Sequence, residues 1–273
     1  MTPGDGRNHE DHLISVIMPT FNAAGYISDA VHSVLSQEGA GLELVVQDGG
    51  SRDDTLSILE ATDDPRISVD SRPDHGLGEA LNRAISRANG DWIVWLNADD
   101  LLTPGAIEAV APFLSGTAEI LCGDFAQIDA DGEQRKLYLA SALDRRRLFR
   151  RGAYVFMGGT LVKRDVFDRV GGFDEDLHFC ADWDFCVRAA DQVESVHVSS
   201  CLAGYRFHPG SLSVKNPWRF FPEGIRVVRR HATGPRDLAA GFLCLARIAL
   251  YVATRPLWTS RAWRRLAPSS KRL

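Results

Sequence analysis

Asp99 and Asp100 follow the apolar run at residues 92–96 (WIVWL) after only Asn97 and Ala98. Carboxylates on a backbone fixed by a buried strand suit a hard cation, because Mg2+ and Mn2+ take oxygen ligands and leave the remaining positions to water or phosphate. The same pair also suits a solvated turn. Asp48-Gly49-Gly50-Ser51 joins a strand-end carboxylate to glycines that admit a ligand close to the backbone. A carboxylate accepts hydrogen bonds and repels phosphate, so a nucleobase N–H is the natural target of Asp48, whereas Asp53 reads as a helix cap. Asp182, in Cys180-Ala181-Asp182-Trp183-Asp184-Phe185, fits two tasks: capping a helix, or taking the proton of a hydroxyl. In Tyr205-Arg206-Phe207-His208, Arg206 suits neutralising a diphosphate. His208 suits a metal shell, a phosphate contact or a plain loop before Pro209-Gly210-Ser211.

These residues need elements that hold them together. Four short runs rich in β-branched or aromatic residues read as strands: residues 13–18 (LISVIM), 42–47 (LELVVQ), Ile67–Ser71 and 92–96. Between them Ile27, Ala30, Val31, Val34 and Leu35 recur at helical spacing, as do Leu77, Ala80, Leu81, Ala84, Ile85 and Ala88. Alternating strands and helices predict a parallel sheet, whose carboxyl edge lines the ligand crevice. Each run ends in a polar group: Pro19-Thr20-Phe21-Asn22, Asp48-Gly49, Arg72-Pro73-Asp74 and Asn97-Ala98-Asp99-Asp100. Four polar ends on one edge predict a site more strongly than any one of them. Residues 126–208 are less regular and read as the acceptor-side half of the same domain.

Taken in order, these stretches resemble the family 2 glycosyltransferases. The similar segments are Val16-Ile17-Met18-Pro19-Thr20-Phe21-Asn22, Gln47-Asp48-Gly49-Gly50-Ser51, Asp74-His75-Gly76-Leu77-Gly78-Glu79-Ala80-Leu81-Asn82, Leu96-Asn97-Ala98-Asp99-Asp100, Gly171-Gly172-Phe173-Asp174 and Asp182-Trp183-Asp184. The resemblance covers about residues 13–210 and implies an α/β GT-A fold, a Rossmann-like mixed sheet flanked by helices. It implies that Thr20, Asp48 and Asp74 surround base and ribose, with Pro19, Phe21, Gly49, Gly76, Asn82, Asn97, Ala98 and Arg206 counted in the donor site. Asp99, Asp100 and His208 are then the metal candidates for Mg2+ or Mn2+, and Asp182 is the general base of an inverting transfer. Asn97 replaces the first acid of a D-x-D motif, which leaves open whether Asp99 or Asp100 binds the metal. Ala181 stands where the base motif often has Glu. The expected activity is hexosyl or N-acetylhexosaminyl transfer from a nucleoside-diphosphate sugar, a UDP-sugar first, to a saccharide or lipid-linked acceptor in surface polysaccharide biosynthesis. Alternatives are a nucleotidyltransferase, although the loop PTFNAAGY carries no cation to grip triphosphate, and a non-catalytic sugar-nucleotide-binding protein.

Composition agrees with a globular enzyme: 273 residues, 45% hydrophobic and 25% charged. Five scattered cysteines, without C-x-x-C spacing, argue against a disulfide framework and a zinc site. Residues 1–12 hold no apolar run and read as a disordered leader, so the expected location is the cytoplasm. The net charge of −5 divides unevenly, with twelve Lys/Arg against two acids in residues 217–273, a net of +10, and −15 in residues 1–216. No nucleic-acid motif accompanies the basic stretch. Residues 211–273 are therefore expected to form a helical, basic, aromatic-containing extension after a domain at 13–210, divided near 125 into donor and acceptor halves. Its run at residues 238–252 is about fifteen residues long with Arg247 inside, short of the roughly twenty that span a bilayer. Peripheral contact with the inner face of the cell membrane and a lid packed on the enzyme are the two expectations for it.

Overall fold

The computed structural model describes residues 12–259. Residues 1–11, which hold nearly all of the expected leader, and 260–273, which include Trp263, lie outside the described residues. His12, the last residue assigned to the leader, is buried beside Asp91 and Ser115.

The first half alternates as expected: β1 (Leu13–Thr20), α1 (Ile27–Leu35), β2 (Gly41–Asp48), α2 (Thr55–Thr62), β3 (Ile67–Ser71), α3 (Leu77–Arg87) and β4 (Trp92–Trp95). After it come β5 (Leu101–Leu102), α4 (Ala106–Val110), β6 (Ile120–Ile128), β7 (Gln134–Tyr138), α5 (Arg145–Arg151), β8 (Thr160–Lys163) and α6 (Arg164–Val170). The chain closes with α7 (Ala181–Ala189), β9 (Ser195–Arg206), α8 (Leu212–Lys215), α9 (Phe220–His231) and α10 (Pro235–Thr259). Among the described residues the strands form one sheet in the order β3-β2-β1-β4-β8-β6-β9-β5, with β7 on β6. Strands β1 to β4 are parallel, and β8 runs antiparallel to both β4 and β6. The sheet is thus mixed, as the resemblance implies.

Both faces are covered, which explains the unbroken apolar runs. Ile14, Val16 and Met18 of β1 pack with Ile27, Val31 and Val34 of α1, while Ile17 faces Leu81 and Ala84 of α3 on the other side. Period-two alternation along one strand therefore feeds two cores. Register aligns Thr20 with Asp48 and Asp48 with Ser71, so three strand ends stand side by side at one edge.

The irregular region has more order than its sequence suggests. Strands β6, β8 and β9 extend the sheet, and β9 runs for 12 residues to deliver Arg206 beside the strand-end aspartates. Helix α9 buries Val227 and Val228 in the core that holds Trp183 and Phe185. Helix α10 corrects the expectation of a short apolar run. It has 25 residues, and its stretch Pro235–Thr254 is long and apolar enough to cross a membrane by length and composition, with mean hydropathy 1.5 and 17% of the window buried. The unbroken apolar run is shorter than the helix, which continues through Gly, Thr and the charged Arg236, Asp237 and Arg247, the last with its head free to reach water.

Candidate active site

At the end of β1 the chain turns with Pro19, Thr20 and Phe21 into a cavity of about 420 Å3 lined also by Asp74, Gly76 and Arg219. Phe21 is 62% exposed, an aromatic face left open on a polar rim. Gly49 touches Asp74 so closely that a Cβ would stand 2.7 Å from Oδ2 and 3.5 Å from the Phe21 ring. Gly76 has φ +147°, and a Cβ there would collide with the imidazole of His178, so both conformation and space demand glycine. Asp74 accepts the Gly76 N–H at 3.0 Å, and burial raises its pKa.

Asp48, the last residue of β2, is fully buried, and its carboxylate accepts from Gly50 N (3.0 Å), Ser51 N (2.9 Å), Ser51 Oγ (2.5 Å) and Ser71 Oγ (2.6 Å). With four donors inside the chain, it braces the turn that carries Gly49 and does not line either cavity at this edge. Asn82 also makes its contacts within the chain. Its amide donates to the Phe173 carbonyl and to Glu175 and accepts the Phe173 N–H, tying α3 to the loop after α6 away from the cavities. The N-cap of α2 is Asp54, not the expected Asp53, which stands one residue before it and accepts the Thr55 N–H at 3.2 Å.

A second cavity of about 510 Å3 shares Pro19, Phe21 and His178 with the first and is lined by Asn97, Ala98, Asp99, His208 and Asp182. Asp99 Oδ2 lies 3.0 Å from His208 Nε2. Ligands about 2.1 Å from a small octahedral cation stand about 3.0 Å apart when adjacent, so the pair fits such an ion. Among the described residues no group of three His, Cys, Asp or Glu side chains is placed to hold a metal. Two chain ligands would leave the other positions to phosphate and water, as a hard cation accepts. Gly210 N–H donates to His208 Nδ1 at 3.1 Å, which makes Nε2 the protonated nitrogen of a neutral ring. Metal binding through Nε2 therefore requires the Gly210 bond to open, and Asp99 is the ligand needing no rearrangement.

Asp100 and Arg206 pack against the turn that carries Asp99. Asp100 is fully buried, accepts Arg206 N (2.7 Å) and Asn97 Nδ2 (2.7 Å), and has a pKa raised by burial and by the neighbouring Asp99 charge. It is turned away from the cavity. Arg206 is 1% exposed and spends its guanidinium on the carbonyls of Asp99 (2.8 Å) and Ala130 (2.6 Å) and on Asp29 (3.3 Å), lying over the Tyr26 ring. Together they fix the backbone of Asp99 from behind. Trp95 Nε1 donates to Asn97 Oδ1 at 2.8 Å and fixes the same turn from the strand side.

Asp182 sits in the first turn of α7, whose N-cap is Cys180, and lines the larger cavity. One carboxylate oxygen accepts the N–H of Trp183 at 2.7 Å. Burial, with a smaller contribution from Glu223, pushes its pKa up to about 6. The neighbouring Asp184 cannot serve in its place. It is 1% exposed, and although burial alone would raise its pKa, hydrogen bonds from His231 (2.7 Å) and Arg188 (2.8 Å) hold it below the ordinary value. Sequence reasoning missed His178, which borders both cavities, and Glu223, which meets the entry of α7. His178 lies four residues before Asp182, the one signal that could have drawn attention to it.

Residues 15–171 match the family model described as Glycosyl transferase family 2. Over 181 residues the chain is 30% identical to a PGL/p-HBAD biosynthesis glycosyltransferase of Mycobacterium bovis (strain BCG / Pasteur 1173P2), covering 64% of this chain and 69% of that one. It is 27% identical over 228 residues to a chondroitin synthase of Pasteurella multocida (strain Pm70), covering 78% of this chain but spanning only 22% of that relative's length. S. aureus TarS, residues 1–349, superposes with a TM-score of 0.67 at 19% identity, over 92% of this chain and 76% of that one, and has also been solved with UDP-GlcNAc. The mannosyltransferase PcManGT of Pyrobaculum calidifontis, solved with GDP-Man and Mn2+, gives a TM-score of 0.59 at 19% identity over 97% and 86% of the chains. At these identities the two structures share the fold.

Proposed function

The chain belongs to glycosyl transferase family 2, and from that premise we propose that it moves a sugar from a nucleoside-diphosphate donor to an acceptor hydroxyl with inversion. The observation that carries this reading is one cavity lined by both Asp99 and Asp182, continuous with a second lined by Thr20, Asp74 and Gly76. A base and ribose fit the smaller cavity, where Phe21 offers a stacking face, Asp74 an acceptor and Gly49 close backbone approach. Asn97, Ala98, Asp99 and His208 border the place of the diphosphate and sugar. Bound Mg2+ or Mn2+, held by Asp99 with His208, would neutralise charge on the leaving diphosphate. The PcManGT structure in complex with GDP-Man and Mn2+ supports that choice.

Asp182 orients the acceptor hydroxyl and takes its proton as the oxygen forms the new bond to the anomeric carbon. The bond from that carbon to the diphosphate oxygen breaks, and the nucleoside diphosphate departs. Family membership displaces the nucleotidyltransferase alternative. A UDP-linked hexose or N-acetylhexosamine is the proposed donor, and a saccharide or lipid-linked acceptor of polysaccharide biosynthesis the proposed partner. TarS with UDP-GlcNAc and the chondroitin synthase similarity support that choice. We assign residues 13–210 to catalysis, with donor binding before residue 125 and acceptor binding after it. A cytoplasmic location, with α9 and α10 as peripheral contacts to the membrane's inner face, completes the proposal.

Thermal-shift titration with a panel of nucleotide sugars and Mg2+ or Mn2+ tests it, since a ligand at a hundred times its dissociation constant stabilises by about 2.7 kcal/mol. A metal-dependent shift with one nucleoside diphosphate and its sugar is the expected result. No shift with any member would count against the donor site.

A further inference from the structure

We propose that Glu223 of α9 is a positioning residue for transfer, holding the turn that aims Asp182 into the cavity. This rests on the assignment of Asp182 as base and extends the site into the basic C-terminal segment. Glu223 is only 9% exposed, although it belongs to a helix whose outer side carries Arg226 and Arg229. Its Oε2 accepts the N–H groups of Phe179 (2.7 Å) and Cys180 (3.1 Å), the two residues that lead into α7. Phe179, Ala181 and Asp182 all line the larger cavity, so the segment gripped by Glu223 is itself cavity wall.

Neighbouring contacts make the grip directional. The Phe220 ring lies parallel to Trp183, 6.1 Å away and 4° from coplanar orientation, and the Phe220 carbonyl accepts from Cys180 Sγ at 3.6 Å. A Cβ on Gly224 would stand 2.7 Å from Leu245 Cδ2 of α10 and 3.3 Å from the Trp183 ring, so α9 approaches both α10 and α7 closely at this glycine. The residues on either side of Asp182, Ala181 and Trp183, are buried, leaving rotation of the whole turn as the route by which its carboxylate would lose its aim. A carboxylate that satisfies two buried N–H groups holds such a turn more firmly than water, because freeing them inside the core is costly.

The Glu223 charge also acts on Asp182. The ionisable groups around that carboxyl are Glu223 from α9, His178 from the preceding loop, Cys180, Asp184, Cys186 and Arg188 from α7 and its cap, and Asp99 and His208 on the shared cavity wall. Glu223 is the like-charged group that contributes to its raised pKa. Removing that charge while keeping an acceptor oxygen separates aiming from electrostatics.

The test uses the full chain with Glu223→Gln, Glu223→Ala and, for reference, Asp182→Asn, measuring donor affinity and the pH profile of kcat. Glu223→Ala is expected to lower kcat by about tenfold or more with donor affinity within about twofold, since misaiming a base by a fraction of an ångström has such effects. Glu223→Gln should recover most of kcat, because an acceptor oxygen remains for the Phe179 and Cys180 N–H groups, and should move the acid limb slightly down, because a like charge has gone. A folded Glu223→Gln with kcat as low as Glu223→Ala, or donor affinity falling in step with kcat in Glu223→Ala, overturns the inference. Wild-type turnover in both Glu223 variants beside an inactive Asp182→Asn overturns it and leaves the base assignment standing. Retained turnover in Asp182→Asn overturns both.

Discussion

At the scale of single residues, the carboxylates of this edge divide between those that face the cavity and those that build it. Asp182 faces it, with a pKa raised to about 6. A raised carboxyl pKa means that the fold disfavours the ionised form, so the native state loses stability as pH rises above the ordinary carboxyl value of about 4, and the loss is complete above about pH 6. In a fully dry site two units amount to about 3 kcal/mol, and solvent at the cavity-facing oxygen reduces it. Asp182→Asn should therefore raise the melting temperature most near pH 8 and by roughly half as much near pH 5, which scanning calorimetry at the two values checks. Equal melting temperatures at high pH would remove the strain assigned to this carboxylate. Asp99 was legible because a buried strand runs straight into it. The contacts of Asp48 were not legible, because a ligand and a turn brace share its spacing and its partner Ser71 lies 23 residues away. Those of Arg206 were hidden for the same reason, as its partners Asp29 and Ala130 lie 177 and 76 residues away.

At the scale of elements, α7 is clamped from both ends of α9. Glu223 holds its entry, while His231 and Arg230 reach Asp184 in its middle, and Arg230 also pairs with Asp174 at 2.5 Å. Asp184 is buried with its ionisation held below the ordinary value, so its stabilisation is full above about pH 4 and is lost as pH falls through the depressed native value. Asp184→Asn should destabilise the protein at neutral pH by about 3–5 kcal/mol, the usual cost of leaving a buried charge unpaired. Urea unfolding at pH 7 and in acid checks this, and a loss of equal size at both values would contradict the ionic account. The parallel strands and the helices α1, α3 and α7 were legible from apolar period alone. Strands β8 and β9 were not, because partners arriving from distant sequence, antiparallel for β8 and mainly parallel for β9 on β6, leave no local turn signal between them.

At the scale of the whole molecule, a basic C-terminal segment is built into an acidic enzyme. The outward side of α10 exposes Leu243, Leu250 and Tyr251, and Arg247 borders a cleft with Arg150 and Arg151 of α5. An apolar stripe flanked by arginines suits the surface of an anionic bilayer, where each basic residue contributes about 1 kcal/mol. Sedimentation with anionic vesicles at low salt is expected to carry the protein down, and Leu243→Glu with Leu250→Glu to release it. Absence of binding by the full chain would leave α10 as a packing helix only. In the proposed mechanism, Asp99 and Asp182, two carboxylates on one cavity wall, have separate tasks. Donor affinity and turnover measured for Asp99→Asn and Asp182→Asn, with one donor, one metal and one acceptor, separate them. Asp99→Asn is expected to lose metal-dependent donor binding together with transfer, whereas Asp182→Asn is expected to keep donor binding and lose transfer by about a hundredfold or more. Near-normal transfer by Asp182→Asn, or loss of donor binding in both variants, would contradict that mechanism.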